Sequence, residues 1–322
     1  MMVRYGAIRY WLVLTVLVSG SEAVIGTRML PKIKMIIDTD GVADDIRAIS
    51  MAIQHPDVEV LGITTTHGCV STEQAAANVA RALRATGMEV LQSDFYCWEP
   101  EPAAQALIRL AREHSNVTIV VIGPLTNLAL SLKLDDEFKR RPERVIIMGG
   151  NYYGTGNVHS RTSGEYNFYS DPEAASIVLS EFECPITIVP WELMLYGKDL
   201  QKPRYSTINL SRYSHINSKD ATGETWQAWM QYAYCDEIAV AAAIDPDGVI
   251  KESKQLRVAV ELAGTFTRGQ VMVDWIDQIW DEDPTNERGV DKSRPRITFI
   301  TAYDVHIVDG MMKQAVLRRR EE

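Results

Sequence analysis

Four aspartates, Asp38, Asp40, Asp44 and Asp45, lie within eight residues and follow an apolar run that begins at Met35. Side chains alternate along a strand, so Asp38 and Asp40 are expected on one face of the strand end. Asp44 and Asp45 open a segment with isoleucines at helical spacing. A helix N-cap would explain one of these acids but not all four. This concentration of negative charge favours a bound cation, and an all-oxygen ligand set suits Ca²⁺ or Mg²⁺.

Short apolar runs alternate with helical patterns along the rest of the chain. The predicted strands are 33–37, 58–65, 117–122, 144–148, 186–189, 256–262, 269–273 and 296–301. The predicted helices are 44–54, 73–86, 103–114, 171–180 and 226–243. The pattern predicts one α/β domain, with a mostly parallel central sheet flanked by helices on both faces. Ligands of such folds bind at the carboxyl ends of the strands, where the aspartates lie.

The composition and the N-terminal residues limit which partners and which location are possible for the protein. The net charge of -10 argues against a nucleic acid or a membrane as partner, because both reward clustered Lys and Arg. Two arginines, a short apolar run and Ser21-Glu22-Ala23 predict a cleaved signal peptide over residues 1–23. A membrane anchor would need about 20 apolar residues. We therefore expect a secreted protein whose single domain spans residues 24–322. The four scattered cysteines give neither a disulfide framework nor a zinc motif.

The aspartate segment resembles D-T-D-P-G-x-D-D, the signature of the inosine-uridine-type nucleoside hydrolase family. Further segments resemble the family's motifs in the family's order. They are G-P-L-T-N-L-A at 123–129, M-G-G at 148–150, E-x-N at 165–167, D-P-E-A-A at 171–175 and T-R-G-Q…V-D-W at 267–275. The combined signal is far more specific than any single motif.

The resemblance implies an enzyme that cleaves the N-glycosidic bond of ribonucleosides, giving free base and ribose. It implies one Ca²⁺ held by Asp40, Asp45, Asp236 and the backbone carbonyl of Thr126. A water on this Ca²⁺ would be the nucleophile, with Asp40 as the general base. The residues implied to bind the ribose are Asp44, Asn151, Asn157, Glu165 and Asn167. The family is typically homodimeric or homotetrameric, and we expect a purine nucleoside as the preferred substrate.

The chain departs from the family pattern at four places. Gly41-Val42 replaces the Pro-Gly of the signature, and Cys69 stands where the family commonly has Asn. Cys235 precedes Asp236 where relatives have His or Trp, and a thiol of pKa ~8.5 is poorly matched to protonating a purine. We therefore interpret Cys235 as a packing residue. Alternative proton donors are His67, His159, Tyr232 and Tyr234.

The fourth departure is the segment 93–102, which is shorter than the family's and lacks its flexible closing loop. A missing loop would leave the site wetter and weaken its electrostatic interactions. Candidates for a rebuilt base pocket are Trp98, Trp191, Trp226 and Trp229.

Two other functions remain open at this point. A haloacid-dehalogenase-type phosphatase would use Asp38 as nucleophile with Mg²⁺, but the downstream acidic motif that it needs is absent from the sequence. A secreted, non-catalytic nucleoside-binding protein would keep the fold and lose the chemistry.

Overall fold

The computed structural model describes residues 2–3, 31–86, 101–158, 161–196, 234–277, 279–280 and 294–317. Several sequence predictions fall outside these residues. They concern most of the signal peptide, the shortened segment up to residue 100, and the side chains of Trp98, His159, Trp226, Trp229 and Tyr232.

Strands and helices alternate through most of the described chain. The strands are β1 (Met2–Val3), β2 (Ile33–Thr39), β3 (Val58–Thr65), β4 (Val117–Val121), β5 (Arg144–Met148), β6 (Ile186–Val189), β7 (Ile250–Val260), β8 (Val271–Asp274) and β9 (Ile297–Tyr303). The helices are α1 (Ala43–Gln54), α2 (Thr72–Ala85), α3 (Ala103–Glu113), α4 (Thr126–Leu134), α5 (Tyr166–Ser170), α6 (Pro172–Glu181), α7 (Glu192–Tyr196), α8 (Asp236–Ile244), α9 (Pro246–Val249) and α10 (Val305–Leu317). A 3-10 helix spans Asp136–Arg140.

The strands form one sheet in the order β1-β3-β2-β4-β5-β6-β9-β7-β8. The central run from β3 to β9 is parallel, whereas β1 and the β7–β8 edge are antiparallel. This confirms the predicted mostly parallel α/β sheet. β1 lies within the predicted signal peptide, so cleavage at residue 23 would leave eight strands.

Hydrophobic cores lie on both faces of the sheet because alternate residues of each buried strand point to opposite faces. On one face Met35 and Ile37 pack with α1, α8 and α10. On the other face Ile36 packs with α3, α4 and α6. All three side chains are fully buried, and each contributes about 1.5–3 kcal/mol of hydrophobic stabilisation. These two cores position the carboxyl end of β2.

The predicted helix 226–243 is wrong at residues 234–235. Tyr234 and Cys235 are not helical, and α8 begins at Asp236. The apolar pattern runs through this boundary, but the Glu237 carboxylate accepts a hydrogen bond from the Cys235 backbone N–H at 3.1 Å and helps to set the helix start.

None of the described helices is both long enough and apolar enough to span a bilayer. Cys69, Cys184 and Cys235 are free thiols, while Cys97 lies outside the described residues.

Candidate active site

Three carboxylates converge at the N-termini of two helices. Asp44 and Asp45 lie in the first turn of α1, and Asp236 is the first residue of α8. One carboxylate oxygen from each residue lies within 4.8 Å of the other two. The free N–H groups and partial positive charge of a helix N-terminus favour anions. The fold therefore assembles the acids from segments almost two hundred residues apart.

The turn between β2 and α1 depends on Gly41. Its φ of +71° lies in the left-handed region, and a Cβ there would approach the Ala75 Cα to 2.6 Å. The Asn78 side chain donates a hydrogen bond to the Gly41 carbonyl oxygen at 2.9 Å. Backbone freedom at Gly41 thus replaces the proline rigidity of the family signature.

Asp40 is buried at the start of this turn. Its Oδ2 accepts a hydrogen bond from the Cys69 backbone N–H at 2.7 Å. Burial raises the pKa of Asp40, while hydrogen bonds from the Cys69 backbone and thiol and a contact with Asp45 oppose that rise. Cys69 therefore still holds Asp40 through its backbone, although its side chain is not the family's asparagine.

The chemistry of this donor set fits a hard divalent cation. Burial raises the pKa of Asp45, and the charges of Asp40 and Asp44 raise it further. Burial likewise raises the pKa of Asp236, together with the charges of Asp45, Asp44 and Glu237. Ionising these groups together is costly without a positive charge between them, and carboxylate oxygens are the ligands that Ca²⁺ prefers.

The cluster differs in one respect from the predicted ligand set. Its tightest group contains Asp44, predicted to bind ribose, and Asp40 lies beside Asp45 at its edge. Asp45 accepts a hydrogen bond from the Thr39 hydroxyl and another from the Val42 backbone N–H at 3.2 Å. Asp45 is therefore oriented by the turn itself.

Thr126, whose carbonyl is a predicted ligand, is the first residue of α4. Its hydroxyl donates to Asp171 Oδ2 at 2.5 Å, and Asp171 Oδ1 accepts from the Ala174 backbone N–H, capping α6. No role is predicted for Asp171 from the sequence, although this residue opens the D-P-E-A-A motif. The structure makes it the residue that orients Thr126.

Asp38 is fully buried behind the cluster. Its Oδ1 accepts hydrogen bonds from the Thr64 hydroxyl and from Asn127 Nδ2, the latter at 2.8 Å. Asn127 also donates to the Thr65 carbonyl, so this network joins the ends of β2 and β3 to α4. Its other oxygen, Oδ2, is buried and has no hydrogen-bond partner among the described residues. Neither oxygen is open to a substrate, which argues against the phosphatase alternative.

Glu165 caps α5 and belongs to the predicted ribose site. Its carboxylate accepts hydrogen bonds from the backbone N–H groups of Gly150 at 2.9 Å, Asn167 at 3.0 Å and Phe168 at 3.2 Å. Burial raises its pKa to about 7 despite these bonds. The Asn167 side chain donates to the Met148 carbonyl at 3.2 Å, at the end of β5. Backbone groups therefore hold the Glu165 carboxylate and the Asn167 amide in place.

The two predicted ribose-binding asparagines are also fixed by backbone. Asn157 Oδ1 accepts from the Tyr166 backbone N–H at 2.7 Å, beside Glu165. Asn151 donates to the Ser163 carbonyl at 2.7 Å and accepts from the Val271 N–H at 2.9 Å. Asn151 thus ties its loop to β8, and its contact with ribose stays a prediction.

Glu192 is a buried anchor that sequence reasoning missed. Its carboxylate accepts three backbone hydrogen bonds, from Tyr152, Tyr153 and Thr155, at 2.9–3.0 Å. In the sequence, only its place in Pro-Trp-Glu, directly after β6, marks this glutamate as a structural residue. Glu192 holds the start of the loop that carries Asn157.

A cleft of about 780 Å³ opens beside the carboxylate site. Its walls include Gly68, Thr126 and Tyr166, together with His67 and Asp171. The volume lies within the range of small-molecule sites. None of the clustered aspartates lines the cleft, but Gly68, whose backbone lies against the Asp40 carboxylate, does.

The other candidates for base recognition are differently placed. Trp191 is partly buried and packs against the core, as does Cys235. Burial and neighbouring carboxylates raise the pKa of the Cys235 thiol further above its ordinary value. The buried Tyr234 hydroxyl bonds to Asp309. Cys235 therefore packs against the core, and its part in proton donation stays a prediction; among the candidates that the structure describes, His67 is exposed and lines the cleft.

The family model described as inosine-uridine preferring nucleoside hydrolase matches residues 35–308. Uridine nucleosidase 1 of Arabidopsis thaliana is 36% identical over 189 residues, 48% of this chain and 55% of that relative. The chain therefore spans about half the length of such relatives. The inosine-uridine preferring nucleoside hydrolase of Leishmania major is 27% identical over 288 residues, covering 75% of this chain and 88% of that protein.

Two solved structures of nucleoside hydrolases also resemble this chain over most of its length. An inosine-guanosine nucleoside hydrolase superposes with a TM-score of 0.68 at 25% identity, over 88% of this chain and 98% of its own. A plant nucleoside hydrolase superposes with a TM-score of 0.69 at 25% identity, over 89% and 99%.

Proposed function

Because the chain belongs to the inosine-uridine preferring nucleoside hydrolase family, we propose that it hydrolyses the N-glycosidic bond of ribonucleosides. The products are the free base and ribose. The observation that carries the proposal is the carboxylate cluster of Asp44, Asp45 and Asp236, with Asp40 against it and a nucleoside-sized cleft beside it.

We propose Ca²⁺ as the cation, held by Asp40, Asp45, Asp236 and the Thr126 carbonyl. A bound cation would supply the positive charge that lowers the pKa of a water molecule and favours the ribose hydroxyls beside it. The acid-rich, all-oxygen donor set supports a hard cation over a transition metal.

Side chains of the protein act as the general base and bind the ribose. The Asp40 carboxylate takes a proton from the attacking water, whose oxygen bonds to C1′ as the C1′–N bond breaks. Asp44, Glu165 and Asn167 bind the ribose hydroxyls through hydrogen bonds, and Asn157 and Asn151 lie beside them. Negative charge around the sugar stabilises the positive charge that develops on it during bond cleavage.

The departing base takes the bonding electrons and needs a proton. Cys235 is unsuited to give it, because burial and neighbouring carboxylates raise its pKa. We propose purine nucleosides as the preferred substrates, since a purine carries the acceptor N7 away from the bond that breaks and open to a proton from solvent. The names of relatives include both uridine and inosine-guanosine enzymes, so a substrate panel decides this point.

Secretion after cleavage at residue 23 and assembly into a homodimer or homotetramer complete the proposal. The predicted signal peptide and the family resemblance support them. N-terminal sequencing of protein recovered from the medium tests the first, and sedimentation analysis tests the second.

The decisive experiment incubates purified protein with inosine, adenosine, guanosine and uridine, with Ca²⁺ or with a chelator, and measures free ribose. We expect ribose only when Ca²⁺ is present, more from purines than from uridine, and none from Asp40→Asn. Ribose release from none of the four substrates would overturn the proposal. Nucleoside binding without ribose release would instead identify a non-catalytic binding protein.

A further inference from the structure

A buried ion pair lies directly behind the carboxylate cluster. Arg47 Nε lies 2.6 Å from Glu237 Oε1, and the two side chains are 10% and 0% exposed. Arg47 is one helical turn after Asp44 on α1, and Glu237 follows Asp236 on α8. Each charge of the pair therefore neighbours one acid of the cluster.

The ion pair joins the two helices that supply the acids. α1 and α8 pack against each other, and the Arg47–Glu237 contact crosses between them near their N-termini. The second oxygen of Glu237 accepts from the Cys235 backbone N–H, which fixes the residue before Asp236. Both helix starts are thus held by one side-chain contact.

The pair also acts on the cluster through its charges. Burial raises the pKa of Asp44 to about 6, while Arg47 acts to lower that pKa and Glu237 to raise it. The two charges of the pair therefore act on Asp44 in opposite directions. Removing the negative charge of Glu237 would leave more net positive charge beside the cluster, which would repel a cation.

We propose that Arg47 and Glu237 are positioning residues that set the cation affinity of the cluster: their contact joins the two helices that carry the acids, and the charge of Glu237 offsets that of Arg47. The inference rests on the cation site of the proposed function. It goes beyond that site, because neither residue is among the proposed ligands or the proposed ribose contacts.

Removing the two charges separately gives opposite expectations. Glu237→Gln removes the negative charge of the pair and should weaken cation binding about tenfold. Arg47→Met leaves an extra negative charge and should strengthen binding by a similar factor. The double variant Arg47→Met/Glu237→Gln should return close to the unaltered affinity. A contact that served only stability would weaken binding in both single variants.

Arg144 offers a matched control at the far end of α8. Its guanidinium donates to the Ala243 carbonyl at 2.8 Å and to the Thr118 hydroxyl at 3.2 Å. Ala243 is about 10 Å along the helix from Asp236, at 1.5 Å per residue. Arg144→Met removes a partly buried positive charge that also tethers α8, and it should leave cation affinity unchanged.

The measurement is titration of the intact protein with Ca²⁺ by calorimetry and with Tb³⁺ by luminescence, at fixed pH and salt. Thermal unfolding of each variant shows that it is folded. Opposite shifts in the two single variants, with recovery in the double variant, support the proposal. Equal affinities throughout, or losses in both single variants, overturn it while leaving the proposed function intact. Failure of the unaltered protein to bind either ion would overturn both.

Discussion

Gly68→Ala tests whether the Asp40 carboxylate must remain where the fold places it. A Cβ on residue 68 would lie 2.2 Å from Asp40 Oδ2 and 2.8 Å from its Cγ. Ordinary contact distances are about 3.5 Å, so the carboxylate must move by roughly 1 Å. That shift would also break the 2.7 Å hydrogen bond from the Cys69 N–H.

The expected loss follows from this displacement. Misplacing a reacting group by about 1 Å costs roughly 100-fold in rate, or about 2.7 kcal/mol of barrier. Overpacking should also cost about 1–3 kcal/mol of folding stability. We therefore expect a folded protein whose kcat/KM for inosine falls about 100-fold.

The assay measures free ribose against inosine concentration at saturating Ca²⁺, together with thermal unfolding. Gly310→Ala is the matched control, because a Cβ there meets nothing within 4 Å and the residue lies inside α10. The control should keep full activity and gain a little stability. A Gly68→Ala protein with kcat/KM within about threefold of the unaltered enzyme would refute the reasoning.

Four other changes have defined outcomes. Thr126→Val removes the hydroxyl bond to Asp171 but keeps the carbonyl, so kcat/KM should fall about tenfold with little loss of stability. Thr126→Ser should restore it in the same ribose assay, and equal activity of both variants would deny Asp171 an orienting role. Gly41→Ala should weaken both Ca²⁺ binding and folding by at least about 1–2 kcal/mol, measured by calorimetry and urea unfolding, because φ is positive and Ala75 is too close. Glu192→Ala should cost about 3 kcal/mol in urea unfolding because it removes three hydrogen bonds to backbone N–H groups, whereas Glu113→Ala, which removes an exposed pair with Arg109, should cost about 0.5 kcal/mol or less. In metal-free protein the thermal stability should fall as pH rises from about 4.5 to about 7, because the raised pKa of Glu165 favours the protonated folded state below that range and the advantage is lost through it. Glu165→Gln should flatten this slope, and a slope unchanged by the substitution would show that other groups cause it.

The outline of the fold was predictable because local pattern determines it. The apolar runs at β2, β4 and β5 lie between two helical layers, so they read as continuous strands. The start of α8 was not predictable, since the apolar pattern runs across it and the break at Cys235 depends on a hydrogen bond with Glu237.

The sequence by itself determined the kind of chemistry. Four aspartates after a strand, followed by the family's motifs in order, indicated an oxygen-lined cation site and a nucleoside substrate. Such acids are recognisable because so much charge in one turn is costly without a partner. Side-chain type and local spacing carry that information directly.

Only the tertiary structure decided which groups meet. It placed Asp44 in the tight group with Asp45 and Asp236, assigned Asp171 to Thr126, and paired Arg47 with Glu237 across 190 residues. Contacts at such separation depend on how helices pack on the sheet, which local periodicity does not encode. Where the acids lie along the chain could be seen in the sequence. The distances between them, and the charges that surround them, depend on how α1 packs against α8.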